Sequence, residues 1–187
     1  MRYTFYMLSL VLMLGSGNLT LFAQQQNPAA PNIPIDSGTG KIMYRDVVGQ
    51  TGTPAYLYDK AIEWFGYYYL NAAAVFTVQD KVNAKVEGIG RMRVYYLDEK
   101  AGVKREGGLI TYQIKMEFKE NKYRYTLTDF NLKTASRFPL EKWLNKNDPA
   151  YNTNWDIYLY QVDTTMQRLV STMKEKMKPA VIKKDVW

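Results

Sequence analysis

The chain has 187 residues, of which 47% are hydrophobic, and a formal net charge of +7. It contains neither histidine nor cysteine. This composition excludes Ser-His-Asp triads, Cys-His nucleophiles, zinc sites built from either ligand, disulfide frameworks and a lipid attached through an N-terminal cysteine.

The first 23 residues have the order of charge, apolar run and small residues that is typical of a secretory signal. Arg2 precedes an apolar run from Tyr6 to Leu14, and small and polar residues then lead to Ala23. The run is shorter than the ~20 residues of a membrane-spanning helix, which favours a cleaved signal over a retained anchor. Cleavage near Ala23 leaves 164 of the 187 residues at a net charge of +6, since Arg2 is the only charged side chain removed. We therefore expect export to the periplasm or cell surface, with no transmembrane helix in the mature chain.

The mature chain divides into a tether, one domain and a tail. Residues 24–39 combine glutamines and prolines without a periodic apolar face, which predicts an extended tether. A single domain is expected over residues 40–178, because that length suits one hydrophobic core. Residues 179–187 form a short C-terminal tail.

The domain is predicted to begin with a strand and a helix. Residues 40–48 alternate, with Ile42 and Tyr44 on one side of the strand. Thr53 and Pro54 are a helix cap and a first-turn proline. An apolar stripe then extends the helix to about residue 70 through Leu57, Ala61, Trp64, Phe65 and Tyr68. Gly66 either weakens this helix or marks close packing against the sheet.

The pattern then changes to a period of two, which predicts strands at residues 75–80, 84–97 and 109–119. Gly88 and Gly90 are expected at bends or bulges of the second strand. Residues 98–108 are expected to form a mobile hairpin loop. The third strand has one apolar face, formed by Ile110, Tyr112, Ile114, Met116 and Phe118.

A short polar turn leads to the last predicted strand, residues 122–132. Its buried face is predicted to carry Tyr123, Tyr125 and Leu127, while the solvent-facing row is Lys122, Arg124, Thr126 and Thr128. This stretch mixes cations with tyrosines and could be mistaken for a nucleic-acid platform. Interleaved acids along the chain favour a solvated sheet face instead.

The remaining sequence predicts a long excursion and a second helix. Pro139 and Pro149 interrupt any pattern over residues 133–152, and a connection of this length is functional or loosely ordered. Thr153 and Asp156 resemble a capping box before a helical apolar stripe. The order β-α-β-β-β-β-α predicts an α+β fold, in which two helices pack on one face of an antiparallel sheet.

Four stretches together resemble a family of exported bacterial envelope proteins known as a domain of unknown function with a TATA-binding-protein-like fold. They are IPIDSGTGKIMYRDVV, LYDKAIEWF, VFTVQDKVNAKVEGIG and ITYQIKMEFKENKYRYTLTDFNL, which span residues 33–132. The resemblance implies the TATA-binding-protein-like fold and agrees with export, but it implies no activity. Residues 133–152 have no clear counterpart in it. A fold of this kind does not imply DNA binding, because function resides in sites.

The groups left for chemistry are a carboxylate pair, a Ser-Lys dyad or an oxygen-ligand metal site. Ser171 and Lys174 have the spacing of an SxxK dyad, but on a lysine-rich helix end a chance match is the favoured interpretation, and the acids form no calcium-loop cluster. Asp129 lies where the alternation of its strand slips, and a bulge carboxylate bonded to local backbone N–H groups is the favoured interpretation. Trp143 stands outside any periodic pattern, as a binding residue or as a lid over the edge of the core. Trp64, Phe65 and Trp155 are expected in the core.

The leading hypothesis is a non-enzymatic exported envelope protein that acts as a binding or interaction module, with no cofactor or metal. The alternative is a glycan- or peptide-binding or inhibitory protein that uses the exposed sheet face or residues 133–152. Its partner is an unidentified envelope protein, peptide or glycan, and no nucleic acid is expected. The candidate binding residues are Trp143, Gln113, Lys115, Lys122 and Arg124.

Overall fold

A six-stranded antiparallel sheet organises residues 31–179, the part of the chain that the computed structural model describes. The strands are β1 (Tyr44–Gly49), β2 (Phe76–Asp80), β3 (Lys85–Asp98), β4 (Val103–Lys119), β5 (Lys122–Leu132) and β6 (Phe138–Pro139). Their order is β1-β5-β4-β3-β2, and β6 pairs with β5 beyond the end of β1. The predicted signal lies outside the described residues, as does the predicted tail after residue 179.

Two helices cover one face of this sheet, which confirms the predicted α+β architecture. They are α1 (Pro54–Tyr68) and α2 (Asn154–Lys176), and each buries its apolar stripe against the inward side chains of β3, β4 and β5. Short 3₁₀ turns occur at Ala72–Ala74 and Leu140–Leu144. Within residues 31–179, neither helix is long and apolar enough to cross a membrane.

The beginning of α1 is confirmed, but the role of its glycine is different. Thr53 Oγ1 accepts a hydrogen bond from the backbone N–H of Tyr56 at 3.2 Å, and Pro54 occupies the first helical position. Gly66 is exposed, and a Cβ there would meet no atom within 4 Å. Close packing at Gly66 is therefore wrong, and the residue only lowers helix propensity.

The capping box predicted for α2 is not formed. Thr153 already has helical backbone angles, φ −63° and ψ −21°, so its side chain makes no capping bond. Asn152 Oδ1 accepts from the backbone N–H of Asn154 at 3.1 Å instead. The Asp156 carboxylate accepts from Tyr151 Oη at 2.7 Å and from Lys146 Nζ, which draws it away from the helix end.

The hairpin predicted as a mobile loop over residues 98–108 is mostly strand. Tyr95–Asp98 pairs with Val103–Glu106, and we call this two-stranded extension the ribbon. It projects beyond β5, because β4 pairs with β5 only from Ile110 onward. The ribbon is tied to α2 by Gln161, whose side chain accepts from Tyr95 N at 3.0 Å and donates to Tyr95 O at 2.7 Å.

Gly88 lies at a register shift, as predicted, because Phe76 and Val78 of β2 pair with the consecutive residues Gly88 and Glu87 of β3. A further shift lies between Val94 and Tyr95 of β3, and none lies at Gly90. Both glycines point inward and leave space for a neighbour. A Cβ at Gly90 would lie 2.2 Å from Tyr112 Cζ, and one at Gly88 would lie 2.9 Å from the Val75 carbonyl oxygen. Gly88 therefore combines the predicted bulge with close packing, whereas Gly90 is a site of close packing alone.

Packing begins earlier than the predicted domain boundary at residue 40. Ile33 is 6% exposed, Ile35 forms a β-bridge with Ile42, and the backbone of Asp36 donates to the Lys41 carbonyl at 2.9 Å. Ile33 packs into the core and Ile35 is held by its backbone bridge, although the prolines around them suggested a free tether. The end of the predicted tether thus belongs to the domain.

Candidate functional site

Four of the five candidate binding residues lie together on the face of the sheet that neither helix of residues 31–179 covers. Gln113 and Lys115 alternate along β4 with the buried Ile114 and Met116, so they point outward. Lys122 and Arg124 alternate along β5 with the buried Tyr123 and Tyr125. The prediction that these four share one outward face is correct. We call this surface the outward face.

Two of these side chains form ion pairs with the strand beside them. Arg124 donates from Nε at 2.9 Å and from Nη2 at 2.6 Å to Glu117 Oε2, the residue directly opposite on β4. Lys115 Nζ lies 3.8 Å from Glu87 Oε2, again directly opposite. Exposed cross-strand pairs of this kind contribute about 0.2–1 kcal/mol. Part of the charged row is therefore explained by the sheet itself.

Two threonines predicted to face solvent are buried, although they lie on the outward face. Thr126 and Thr128 are each 7% exposed. Arg45 covers Thr126 and donates from Nε to its Oγ1 at 3.4 Å, while Thr128 Oγ1 donates to the Ile42 carbonyl at 3.2 Å. Short side chains between long ones lose their contact with solvent, so an outward position is not always an exposed one.

Shallow cavities follow β5 on this face. One of about 260 Å³ lies between β1 and β4 and is lined by Arg45, Gln113, Lys115 and Thr126, among others. A second, of about 230 Å³, lies toward the β4–β5 turn and includes Lys119 and Lys122. Glu117 and Arg124 line both, so their ion pair separates the two cavities.

Cations outnumber carboxylates on the outward face. The carboxylates are Asp80, Glu87, Glu106, Glu117 and Asp129, and all of them except Asp80 lie within ion-pair distance of a cation among the described residues. The cations are Arg45, Lys85, Arg91, Arg93, Lys115, Lys119, Lys122 and Arg124. The surface is therefore suited to a ligand that carries negative charge.

Asp129 lies in a bulge, as predicted, but its carboxylate has other partners. The register of β4 and β5 shifts between Thr111 and Gln113, and Asp129 has a φ of +54°, in the left-handed region. Its Oδ1 accepts from Lys41 Nζ at 2.6 Å and lies 3.5 Å from Arg137 Nη2. Two cations from other segments, rather than local backbone N–H groups, compensate this acid.

Trp143, the fifth candidate, is not on the surface. The 3₁₀ turn Leu140–Leu144 folds its indole inward, where it is 1% exposed. Its ring centroid lies 5.3 Å from that of Tyr158 and 6.2 Å from that of Trp155. Its ring is therefore not an exposed stacking surface, and its position at the edge of the core agrees with the lid interpretation.

No group of three or more Asp or Glu side chains within residues 31–179 is placed to hold a metal ion.

The tyrosines of the inward face are buried. Burial raises the pKa of Tyr123, Tyr44 and Tyr112 well above the ordinary phenol value, so these groups stay protonated.

An antiparallel sheet with both helices of the described residues on one face defines an α+β protein of the TATA-binding-protein-like class. The model of a family described as "Domain of unknown function (DUF4468) with TBP-like fold" matches residues 44–133. That match spans β1 to the end of β5 and confirms the resemblance inferred from the sequence.

Solved structures agree on the fold. A DUF4468 family protein from Bacteroides ovatus ATCC 8483 has a TM-score of 0.61 at 14% identity, covering 81% of this chain and 93% of that one. A TBP-like protein from Parabacteroides distasonis ATCC 8503 has a TM-score of 0.51 at 12% identity, covering 76% of this chain and 97% of that one. No curated protein matches the chain. At these identities the similarity concerns the fold alone.

Proposed function

We propose that the protein is an exported, non-enzymatic binding module of the cell envelope that holds an acidic peptide or glycan on its outward face. The order of residues 1–23 supports export. The absence of histidine and cysteine, together with the ion pairs of Glu87, Glu106, Glu117 and Asp129 on the outward face, supports binding rather than catalysis. The common chemistry of both ligand classes is a carboxylate or another anionic group.

The observation that carries the proposal is the set of cations on a bare sheet face. Within residues 31–179, Arg45 and Lys122 have no carboxylate at ion-pair distance. They line the two neighbouring cavities, one each. An anionic chain lying along β5 could therefore contact both.

Arg124 lies between them and is held in a fixed orientation. It gives two of its five N–H donors to Glu117, which leaves three for a ligand. A guanidinium with a fixed plane is suited to a planar carboxylate, because little side-chain entropy is lost on binding. Thr126 and Gln113 add neutral hydrogen-bonding groups to the same cavity.

The proposal is tested by binding of the purified protein to matched panels of acidic, neutral and basic peptides and glycans at low and high salt. We expect acidic probes to bind and the affinity to fall with salt, because exposed charges are screened. Arg45→Glu and Lys122→Glu should each weaken binding about tenfold or more, as expected for a lost hydrogen bond to a charged group.

Arg168→Glu is the matched control. Arg168 is exposed on α2, across the sheet, and it too has no carboxylate at ion-pair distance within the described residues. The control makes the same change in net charge without touching the outward face. Equal binding by all three variants, or no binding of any acidic probe, contradicts the proposal.

Export is tested separately by fractionating cells that express the full chain with a C-terminal tag. We expect the envelope or medium fraction to contain a protein that begins near Gln24. An uncleaved chain in the cytosol would contradict the export part of the proposal and leave the binding part to be judged on its own.

A further inference from the structure

A cleft of about 370 Å³ lies on the helix side of the sheet, where the ribbon meets the beginning of α2. Its wall is aromatic and includes Tyr96, Trp143, Trp155 and Tyr158. The volume is near the lower end of the ~300–1,000 Å³ that is usual for small-molecule sites. The cleft therefore suits a ligand of one or two rings.

Several polar groups of the cleft have no partner among residues 31–179. The indole Nε1–H of Trp143 is buried without a hydrogen bond in the described structure, which is costly for a donor. The backbone N–H of Asn154 donates to Asn152 Oδ1. The side-chain amide of Asn154 makes no hydrogen bond within the described residues and is available to a ligand. Burial raises the pKa of Tyr158, so its phenol remains a donor at neutral pH.

The walls are held in place without a ligand. Gly107 allows the ring of Tyr158 to lie against the ribbon, because a Cβ at this position would be 2.4 Å from Tyr158 Cζ. The two hydrogen bonds between Gln161 and the Tyr95 backbone fix the ribbon to α2. Such a rigid site loses little entropy when it binds.

The charges near the cleft are balanced. Glu106, at its rim, is paired with Arg93, whose Nε lies 3.1 Å from Glu106 Oε2. An ion would find no uncompensated partner here, whereas aromatic faces suit apolar C–H groups and the free amide, phenol and indole groups suit hydroxyls.

We propose that this cleft binds one neutral sugar ring, with the C–H face of the ring on the aromatic wall and its hydroxyls bonded to Trp143, Tyr158 and Asn154. The site is distinct from the outward face, and the test of sugar binding does not depend on the function proposed above. Trp143 thus contributes to binding from inside the cleft, rather than from an exposed loop.

The test is a titration of the purified protein with glucose, galactose, mannose, N-acetylglucosamine and their disaccharides, followed by tryptophan fluorescence and by isothermal calorimetry. Trp143→Phe keeps an aromatic ring but removes the indole donor. We expect it to weaken the best-binding sugar about tenfold, the effect of one well-placed hydrogen bond.

Trp64→Phe is the matched control. Trp64 is also 1% exposed and its Nε1–H also lacks a partner, but it does not line the cleft. Both variants should lower the melting temperature, while only Trp143→Phe should weaken the sugar. Asn154→Ala, which removes a side chain without a partner, should weaken binding with little loss of stability.

The proposal is overturned if no sugar of the panel binds at high millimolar concentration, or if Trp64→Phe and Trp143→Phe weaken binding equally. It is also overturned if indole or benzyl alcohol binds in the cleft while the sugars do not, since the occupant would then be an apolar aromatic compound.

Discussion

The two faces of the sheet differ in the interactions that stabilise them. The inward face is continuous with the core, and successive inward residues of β4 are fully or almost fully buried beneath α1 and α2. The outward face carries cross-strand ion pairs and shallow cavities, and neither of the two described helices lies over it. Burial of apolar area dominates stability, whereas exposed ion pairs add little. Substitutions on the two faces should therefore separate folding from binding.

Adjacent residues of β4 give the largest expected contrast. Ile114→Ala removes a fully buried side chain from a central strand and should lower the free energy of unfolding by about 2–5 kcal/mol. Gln113→Ala removes an outward side chain one position away and should cost less than about 1 kcal/mol. Urea denaturation followed by circular dichroism measures both.

The same two variants also separate stability from binding. Gln113→Ala should weaken an acidic ligand, because Gln113 lines the outward cavity, while Ile114→Ala should leave the affinity of the folded fraction unchanged. A similar loss of stability in both variants would show that the two faces do not differ as described.

Alanine substitutions of two glycines should change the stability of the protein in opposite directions. Gly90→Ala places a Cβ 2.2 Å from Tyr112 Cζ and disturbs the 3.1 Å hydrogen bond between the phenols of Tyr112 and Tyr69. Overpacking of this kind should destabilise the protein by about 1–3 kcal/mol. Gly66→Ala meets no neighbour on the exposed side of α1 and should stabilise it by about 0.5–1 kcal/mol.

Thermal melts and urea titrations of the two alanine variants check these signs. Gly49→Ala serves as a further control, because a Cβ there also meets no atom within 4 Å but the residue lies in a strand. If Gly90→Ala were neutral, the close contact with Tyr112 would not constrain the inward face.

Much of this contrast could be predicted from the sequence. Alternation of apolar and polar residues in β4 placed both faces correctly, since side chains of a strand point alternately to its two sides. The helical stripes of α1 and α2 were equally regular. These long periodic segments fix the architecture before any tertiary contact is known.

The candidate site was less predictable, because it depends on contacts between distant segments. Lys41 reaches Asp129 across 88 positions of the sequence, and Arg45 covers Thr126 across 81. Trp143 has no periodic neighbours, so its burial against Trp155 and Tyr158 is visible only in three dimensions. The extended ribbon was missed because its charged, glycine-containing sequence resembles a loop.

The smallest expected effect concerns two ion pairs on opposite sides of the sheet. Asp46 of β1 accepts a hydrogen bond from Lys174 Nζ of α2 at 2.8 Å, whereas Glu117 and Arg124 join two strands of the outward face. The Lys174 hydrogen bond lowers the pKa of Asp46 below its ordinary value of 3.8. A carboxyl whose folded pKa is depressed contributes stability above the unfolded pKa and loses it as the pH falls through the folded pKa.

Asp46→Asn should therefore be less stable than the natural chain near neutral pH, and this difference should disappear at pH values below the folded pKa of Asp46. Because the side chain is half exposed and screened by solvent, the difference should be no more than about 0.5 kcal/mol. Urea denaturation at neutral and strongly acidic pH measures it, and Lys174→Met should abolish the effect of Asp46→Asn. A loss that persisted unchanged in acid would show that Asp46 stabilises the junction of β1 and α2 through packing or its bond to the Val47 N–H, rather than through charge.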